Sequence, residues 1–259
     1  MIRGRPRDPR AGQVLSADIA VPEHAREMAF YSRILTTGEA PLWREDLMNN
    51  VGQPIIGLGE RIPAYAHLPL QWMPHVQVVD VAASVERALA LGGRELMRGA
   101  SEGAVLLDPN GAAFGIIPVV PSQPVPPSQE ESAAAVVGRI AWLDLTVPDA
   151  PATRDFYRAV VGWSVQEIEM RDGDGEYSDH AMCTSDGSAV AGVCHARGVN
   201  RAIPPVWMIY LPVGDLAESL VRLPEQGGEV VLTRTGDHGA LKYAVVRDPV
   251  GAYLALAPG

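Results

Sequence analysis

The hydrophobic and polar positions along the chain follow one pattern twice. Residues 16–35, SADIAVPEHAREMAFYSRIL, align without a gap on the segment that begins at residue 142, WLDLTVPDAPATRDFYRAVVGW, at a displacement of 126 residues. In each segment apolar residues first alternate and then recur every three or four positions, which predicts a strand followed by an amphipathic helix. The first strand is predicted at Val14–Val21 and its helix from Pro22. The second strand is predicted at Arg139–Val147 and its helix at Asp149–Val161.

Two further segments also recur in the same order. Residues 72–93, WMPHVQVVDVAASVERALALGG, match residues 207–228, WMIYLPVGDLAESLVRLPEQGG, and the turn Asp108–Gly111 matches Asp248–Gly251. Three matched segments in one order indicate a duplicated domain. We therefore expect a flexible tail at residues 1–13, a first domain at 14–118, a proline-rich linker at 119–137 and a second domain at 138–259.

The remaining elements are predicted from the same periodicities and from glycine and proline breaks. In the first half they are a strand at Gln53–Glu60, a strand at His75–Val81, a helix at Ala82–Leu91 and two short strands around the turn at Asp108. In the second half they are a hairpin at Ala181–Cys194, a strand at Val206–Val213, a helix at Leu216–Leu223 and a strand pair at Leu241–Ala257. The rest of residues 36–71 is left unassigned.

Composition narrows the class of protein. The chain has 259 residues, enough for two cores, and no apolar run approaches the roughly 20 residues of a membrane span, so we expect neither a membrane span nor a membrane partner. The first residues contain arginines without a following apolar stretch, which predicts a cytoplasmic rather than a secreted protein. The net charge is −10, and without basic clusters it argues against nucleic-acid binding.

The two cysteines, Cys183 and Cys194, fall in one predicted hairpin. A tight turn at Asp186 would place Cys183 opposite Val190 and Cys194 opposite Asp179, so the thiols would not face each other. Reduced cysteines in a cytoplasmic protein are therefore expected.

The repeated segments resemble the vicinal oxygen chelate superfamily, which includes glyoxalase I, bleomycin-resistance proteins and extradiol dioxygenases. The resemblance rests on DLTVPDAPATRDFYRAVVGW, YLPVGDLAESLVRLPEQGGEVV and RDPVGAYLAL, and it extends more weakly over residues 14–118. It implies an α+β fold of duplicated vicinal oxygen chelate domains, each with two βαβββ modules that form a half-barrel around a ligand. Paired arrangements are common in the fold, so a homodimer is compatible with it.

The resemblance also implies where a metal would be bound. Metal-dependent members carry His, Gln or Glu at the start of the first strand of each module and Glu near the end of the last strand. Counting from the landmark residues places Trp142, Met208 and Ala255 there in the second half, and Ser16, Met73 and Gly115 in the first. Indole, thioether and methyl groups are not the ligands of such a site. We therefore predict a protein without the usual metal and without a cofactor.

These positions also identify the strand face expected to line the cavity, because residues two apart on a strand share a face. In the second half this face carries Trp142, Asp144, Thr146, Met208, Tyr210 and Tyr253. In the first half it carries Ser16, Asp18, Met73, His75 and Gln77. An apolar, partly aromatic lining with a few polar groups is typical of small-molecule sites.

Asp144 and its counterpart Asp18 are the strongest catalytic candidates. A carboxylate within an apolar strand is costly unless it is paired, hydrogen-bonded or protonated. Each is a candidate general base, or an anchor for a ligand hydroxyl or amine. The alternative is a structural aspartate that accepts backbone N–H groups or pairs with an arginine such as Arg247.

The histidines give weaker indications. His75 beside Asp18 and Gln77 would form a displaced metal site, although a hydrogen-bonded cavity histidine is the favoured interpretation. Cys194 and His195 suggest a nucleophile with its base, yet neighbours on a strand point to opposite faces. His195, Arg197 and Asn200 are expected on a loop at the cavity mouth, where they bind a polar group or fix the loop.

The other aromatic and histidine side chains are expected to be structural. His180 and His238 lie in polar, glycine-containing segments and are predicted to be solvated. A core position is predicted for Trp72, Trp207 and the pairs Phe30–Tyr31 and Phe156–Tyr157.

Two functions fit this pattern. The first is a metal-independent enzyme of isomerase, cyclase or lyase type that acts on a small, partly aromatic metabolite. Asp144 or Asp18 would be its general base, and Tyr210 or His75 its proton donor.

The second function is a non-catalytic protein that sequesters an antibiotic-like compound, as bleomycin-resistance proteins do. Trp142, Tyr210 and Tyr253 would stack on the compound, and Asp144 would pair with a cation. The acidity of the second half, with 18 acidic against 10 basic residues from Pro121 onward, favours a cationic ligand. The halves have diverged, so one of them could also be a structural support without a ligand.

Overall fold

The structure is a computed structural model and describes residues 10–35, 55–99, 102–120, 140–236 and 239–259. The strands of the first half are β1 (Val14–Val21), β2 (Ile55–Glu60), β3 (Met73–Val78), β4 (Arg94–Arg98), β5 (Ala104–Leu107) and β6 (Ala113–Pro118). Those of the second half are β7 (Trp142–Val147), β8 (Ser164–Asp172), β9 (Gly175–Cys183), β10 (Ala189–His195), β11 (Trp207–Val213), β12 (Glu229–Thr235), β13 (Leu241–Arg247) and β14 (Tyr253–Pro258).

The helices are α1 (His24–Leu35), α2 (Val81–Ala90), α3 (Ala150–Val161) and α4 (Leu216–Glu225). Single 3₁₀ turns lie at Pro63–Tyr65 and Gly198–Asn200. No helix within the described ranges is long and apolar enough to cross a membrane.

The chain forms two compact units, and each unit combines segments from both halves of the sequence. Of the described residues, unit 1 comprises 10–14, 74–99, 102–120 and 144–207, and unit 2 comprises 15–35, 55–73, 140–143, 208–236 and 239–259. The first one or two residues of β1, β3, β7 and β11 fall in the other unit. Apart from these residues, unit 1 holds β3, α2 and β4–β6 together with β7, α3 and β8–β10. Unit 2 holds β1, α1 and β2 together with β11, α4 and β12–β14. The boundaries of the two compact units therefore differ from those of the two duplicated sequence halves.

Within each module the first strand pairs in parallel with the last. In unit 1 the strand orders are β3-β6-β5-β4 and β7-β10-β9-β8, and in unit 2 they are β2-β1 and β12-β13-β14-β11. The other neighbours within these groups are antiparallel. This arrangement is the duplicated vicinal oxygen chelate α+β fold implied by the sequence.

Side-chain hydrogen bonds fix the first turns of three helices and the end of α3. The carboxylates of Asp80, Asp149 and Asp215 each accept a backbone N–H in the first turn of α2, α3 and α4 at 2.9 Å. The last carbonyls of a helix lack partners within it, so other groups must donate to them. In unit 1, Arg87 of α2 donates to the carbonyls of Ala159 and Val160 in α3, at 2.6 and 3.3 Å.

A buried Trp–Tyr–Asp chain occurs once in each unit. In unit 1, Trp207 Nε1 donates to the Tyr157 hydroxyl at 3.0 Å, and this hydroxyl donates to Asp108 Oδ2 at 3.3 Å. In unit 2, Trp72, Tyr31 and Asp248 form the same chain, at 3.3 and 2.7 Å. In both cases the tyrosine and the aspartate come from different halves of the sequence. The predicted core positions of Trp72, Trp207 and the two Phe–Tyr pairs are confirmed, since all are at most 4% exposed.

Three strands were not predicted, namely β4, β8 and β12. Each lies at the edge of its sheet, and charged residues occupy both of its faces. Edge strands commonly carry such charges because they prevent pairing with other chains, and the charges hide the alternation that marks a strand. The predicted strand to Val81 ends instead at Val78, because Asp80 caps the next helix.

Two local predictions are corrected by the structure. Cys183 lies opposite Ala189 rather than Val190, because an irregularity in β10 between Ala189 and Ala191 shifts the register. His180 is not a solvated loop residue, since it lies in β9 with 3% exposure. Both errors arise from a hairpin that is longer and less regular than its turn sequence suggests.

The predicted N-terminal tail is described only from Arg10 onward. Gly12 N–H donates to the carbonyl of Gln77 at 2.7 Å, and Gln77 N–H donates to that of Gln13 at 2.9 Å. Trp163 Nε1 also donates to the Gly12 carbonyl at 2.7 Å. The remainder of the tail, the unassigned residues 36–52, most of the predicted linker and His238 lie outside the described residues.

Candidate functional site

Asp144 lies across a glycine on the neighbouring strand. β7 and β10 pair in parallel with Asp144 opposite Gly192, and a Cβ at residue 192 would stand 2.2 Å from Asp144 Oδ1. The same oxygen is 3.8 Å from the Cys194 thiol, which donates to it. The glycine therefore provides the space that this carboxylate occupies, and any larger residue would displace it.

In every module, the residue of the first strand that corresponds to Asp144 is polar. In unit 1 the His75 ring covers Gly115, where a Cβ would stand 1.9 Å from the imidazole. In unit 2, Asp18 is opposite Gly57 and Tyr210 is opposite Ala255. Small residues on the last strand thus face the predicted catalytic residues Asp18, His75, Asp144 and Tyr210.

The donor groups do not fit the metal that the fold family implies. The family's glutamate position is taken by Gly115 and Ala255, whose neighbours across the strand pair are the His75 and Tyr210 side chains. Met73 and Met208, at first-strand positions, are buried thioethers. In the part of the chain that the structure describes, no group of three His, Cys, Asp or Glu side chains is arranged to hold a metal.

Cys194 is a hydrogen-bond donor rather than a nucleophile. Its pKa is raised far above the usual thiol range, first by burial and then by the charges of Asp144 and Asp179. The thiolate is the nucleophilic form of cysteine, and two nearby carboxylates suppress it. Cys194 therefore remains a protonated thiol that donates to Asp144.

Asp179 holds the histidine that follows Cys194. This carboxylate is buried in β9, and its Oδ1 accepts the His195 backbone N–H at 2.8 Å and lies 3.0 Å from His195 Nδ1. The imidazole is 18% exposed, and the Tyr177 ring meets it edge-on at 5.5 Å. His195 ends a strand and is fixed in orientation, whereas the sequence predicted a loop position.

Arg197 is paired with a different carboxylate. Its guanidinium makes two hydrogen bonds of 3.1 Å to Asp172 and lies 4.4 Å from the centre of the Tyr177 ring. Of the two roles considered for Arg197, these contacts describe the fixing of the loop. Asn200 ends the following 3₁₀ turn.

His180 is buried without a well-aligned partner. Glu167 Oε2 lies 3.0 Å from its Nδ1, but outside hydrogen-bonding alignment, so both ring nitrogens lack a hydrogen bond among the described residues. Burial lowers the pKa of His180, and the neutral imidazole is favoured.

The other predicted lining residues are distributed over both units. In unit 1, Thr146 is buried opposite Cys194, and the Gln77 side chain accepts the Val120 N–H at 3.0 Å. In unit 2, Ser16 donates to Asp18 at 3.5 Å, and Tyr210 meets Tyr243 edge-on at 5.3 Å. Trp142 and Tyr253 are partly exposed in that unit, where Arg247 pairs with Glu229 rather than with an aspartate of the site.

Sequence reasoning missed Asp179, Asp172 and Gly192 as parts of the site. Asp179 could have been found from alternation, because Tyr177, Asp179 and Ala181 occupy every second position of one strand. Gly192 could have been found as a glycine inside a predicted strand, which signals a close approach of another group.

Two protein families match the chain. The Glyoxalase/Bleomycin resistance protein/Dioxygenase superfamily matches residues 139–256, and the Glyoxalase-like domain matches residues 15–117. Putative glyoxylase CFP32 of Mycobacterium tuberculosis is 31% identical over 118 residues, which are 44% of this chain and 43% of that protein. Anthracycline biosynthesis protein DnrV of Streptomyces peucetius is 30% identical over 131 residues, 46% of each chain. The matches span less than half the length of these relatives.

Solved structures show the same fold at low sequence identity. Homoprotocatechuate 2,3-dioxygenase from Arthrobacter globiformis has a TM-score of 0.57 and 16% identity, covering 97% of this chain and 80% of that one. An extradiol ring-cleaving dioxygenase from B. fuscum has a TM-score of 0.56 and 15% identity, covering 98% and 74%. At this identity the likeness concerns the fold alone.

Proposed function

Because the chain belongs to the glyoxalase/bleomycin resistance protein/dioxygenase superfamily, with one domain of this type in each half, we propose that it binds a small, partly aromatic metabolite and transforms it without a metal. The reaction is of isomerase, cyclase or lyase type, with Asp144 as general base. The proposal includes a cytoplasmic location, and it is compatible with a homodimer.

The observation that carries the proposal is the position of the Asp144 carboxylate. It lies against Gly192, where no side chain covers the strand, and one oxygen accepts from the Cys194 thiol. In the reaction the carboxylate takes a proton from a carbon next to a carbonyl, and the electron pair of the broken C–H bond forms an enolate. Return of the proton to another carbon isomerises the ligand, while loss of a leaving group makes the same step a lyase reaction.

One of the named relatives supports the class of ligand. DnrV is an anthracycline biosynthesis protein, and anthracyclines contain fused aromatic rings with hydroxyl and carbonyl groups. The other positions predicted to line the cavity remain candidates for ligand contact. Asp18, His75 and Tyr210 share the module position of Asp144, so each is a candidate for proton transfer in its own unit.

Hydrogen–deuterium exchange into the ligand tests the proposal. We would incubate the protein in D₂O with hydroxylated polycyclic aromatic ketones, including anthracycline aglycones, and measure exchange at ligand carbons by mass spectrometry. We expect Asp144→Asn to slow the exchange by about a hundredfold or more, the usual contribution of a general base. Asp155→Asn removes an exposed carboxylate on α3 and serves as the control. Equal exchange in Asp144→Asn and wild type would exclude the catalytic role.

Sequestration of an antibiotic-like cation is the second candidate. It is favoured by the two carboxylates, Asp144 and Asp179, whose charges both act on Cys194. An amine on an aromatic ligand would complement this negative charge. Binding without exchange or turnover in the wild type, weakened about tenfold in Asp144→Asn, would identify this function instead.

A further inference from the structure

Asp179 and His195 form a dyad to which the proposed catalytic step assigns no role. The Asp179 side chain is 8% exposed, and its Oδ1 lies 3.0 Å from His195 Nδ1. The same oxygen accepts the His195 backbone N–H, so the carboxylate fixes both the ring and the chain that carries it. Since a carboxylate oxygen only accepts, the contact requires the proton on Nδ1.

Arg197, which lies two residues after His195, is paired with a different carboxylate. Arg197 is held by two hydrogen bonds to Asp172, and its guanidinium lies over the Tyr177 ring. Asp172 therefore balances the charge of Arg197, and the partner of Asp179 is the imidazole. Tyr177 contacts both Arg197 and His195, which restrains the ring from a second side.

The second ring nitrogen of His195 remains available. Nε2 has no hydrogen-bond partner among the described residues, and the side chain is 18% exposed. With the proton on Nδ1, Nε2 carries a lone pair. Because Asp179 holds Nδ1–H, the orientation of the ring and of the Nε2 lone pair is fixed.

We propose that His195 is a proton acceptor for a hydroxyl group on an aromatic or enolic ligand, with Asp179 as its positioning residue. The ligand O–H bond breaks, its electron pair stays on oxygen, and the proton bonds to Nε2. The imidazolium then donates to both Asp179 and the ligand oxygen, and the proton returns when the ligand leaves. The ligand class rests on the proposed function, whereas the state of the dyad does not.

The tautomer of His195 is the first test, and it requires no ligand. Long-range ¹H–¹⁵N correlation spectra of histidine-labelled protein distinguish a protonated from a bare ring nitrogen. The resonances are assigned by their loss in His195→Gln. We expect neutral His195 to carry its proton on Nδ1 in both the wild type and Asp179→Asn, because the amide oxygen of asparagine still accepts. A proton on Nε2 in the wild type would overturn the proposal.

The second test uses 4-nitrophenol as the probe, because its phenolate is yellow and its phenol is not. At a pH where the free probe is mostly phenol, we expect the wild type to bind it as phenolate. His195→Gln should reduce this binding about tenfold, as expected for one charge-assisted hydrogen bond. Asp179→Asn should reduce it several-fold while the tautomer is unchanged, which separates a positioning role from a purely structural one. Asp174→Asn, in the exposed turn after β8, is the control.

The outcomes also separate this inference from the proposed function. Unchanged phenolate binding in His195→Gln, or no binding to the wild type, would overturn the inference even if exchange still depends on Asp144. Loss of phenolate binding in His195→Gln, together with ligand exchange that is unaffected in Asp144→Asn, would support the inference and exclude Asp144 as the general base.

Discussion

The two units differ in the buried polar groups of the turn before the last strand. This turn meets α3 in unit 1 and α1 in unit 2. In unit 1, Asn110 donates from its amide to Asp108 at 3.2 Å and to the Thr153 hydroxyl at 2.9 Å. Thr153 in turn donates to the Asp149 carbonyl at 2.9 Å. The buried polar groups of this turn and helix therefore bond to one another.

In unit 2 the equivalent positions are occupied by Asp248, Val250 and Glu27. The valine side chain has no donor, and a second carboxyl replaces the hydroxyl. Glu27 is fully buried, and neither of its carboxyl oxygens has a hydrogen-bond partner among the described residues. Burial, followed by the charge of Asp248, raises the pKa of Glu27 to about 8.

The difference shows how far a duplicated frame tolerates divergence. Both copies keep the Trp–Tyr–Asp chain, so the backbone and the aromatic core are retained. Next to that chain, unit 1 has the hydrogen-bonded neutral side chains of Asn110 and Thr153. Unit 2 has Val250 and Glu27 at these positions, so the Glu27 carboxyl lies near that of Asp248. A buried polar group without a partner costs free energy, and proton uptake by Glu27 reduces that cost near neutral pH.

Replacement of Glu27 by glutamine should have the largest effect on this comparison. The Glu27 carboxyl has an ordinary pKa of 4.5 and a folded pKa of about 8, so the folded state binds the extra proton between these values. The unfolding free energy should therefore fall as the pH rises through that range, by up to about 1.4 kcal/mol per pH unit. Glu27→Gln should remove this part of the slope and be more stable than the wild type at pH about 8, by about 2–4 kcal/mol.

Denaturant unfolding at a series of pH values measures this effect. Glu23→Gln changes an exposed carboxyl just before α1. Its charge is the smallest of the causes that raise the pKa of Glu27, so this variant should keep nearly the wild-type slope. Parallel stability curves for Glu27→Gln and the wild type would show that Glu27 does not titrate as described.

Removing the tyrosine hydroxyl from either Trp–Tyr–Asp hydrogen-bond chain should have an intermediate effect on stability. Replacement of Tyr31 or Tyr157 by phenylalanine leaves a buried tryptophan N–H and an aspartate without their shared hydroxyl, which should cost about 1–3 kcal/mol. We expect the larger loss for Tyr31→Phe, because its hydroxyl is 2.7 Å from Asp248, against 3.3 Å between Tyr157 and Asp108. Urea unfolding of both variants in one buffer tests the order, and a larger loss in Tyr157→Phe would contradict it.

The repeat in the sequence predicted the fold but not how its modules assemble. The aligned segments identify the buried Trp and Tyr residues of both copies. They do not indicate whether Tyr31 bonds to Asp108 or to Asp248, because the two aspartates lie in equivalent turns. This choice depends on which helices pack together, and α1 packs with α4 while α2 packs with α3. Such long-range pairing leaves no signal in a single duplicated sequence.

Only part of the candidate site could be predicted, because the rest depends on strand pairing that the sequence does not show. Asp144 could be found because it interrupts an apolar, alternating strand. The Asp179–His195 dyad was missed because the segment around His180 was predicted to be solvated, whereas in the structure it is strand β9 and pairs with β10. Five of the seven exposed residues of β8 are polar or charged, and no strand was predicted there.

The arginines that hold the helix ends should show the smallest difference between the units. Arg87 donates to two carbonyls at the end of α3, whereas Arg222 donates to one carbonyl of α1, at 3.1 Å, and also pairs with the exposed Glu218. Methionine keeps most of the apolar length but removes the donors. We expect Arg87→Met to lower the unfolding free energy by about 1–2 kcal/mol and Arg222→Met by about 0.5 kcal/mol, since surface ion pairs contribute little. Equal losses, measured by urea unfolding at matched ionic strength, would mean that the second carbonyl bond of Arg87 adds nothing to the stability of unit 1.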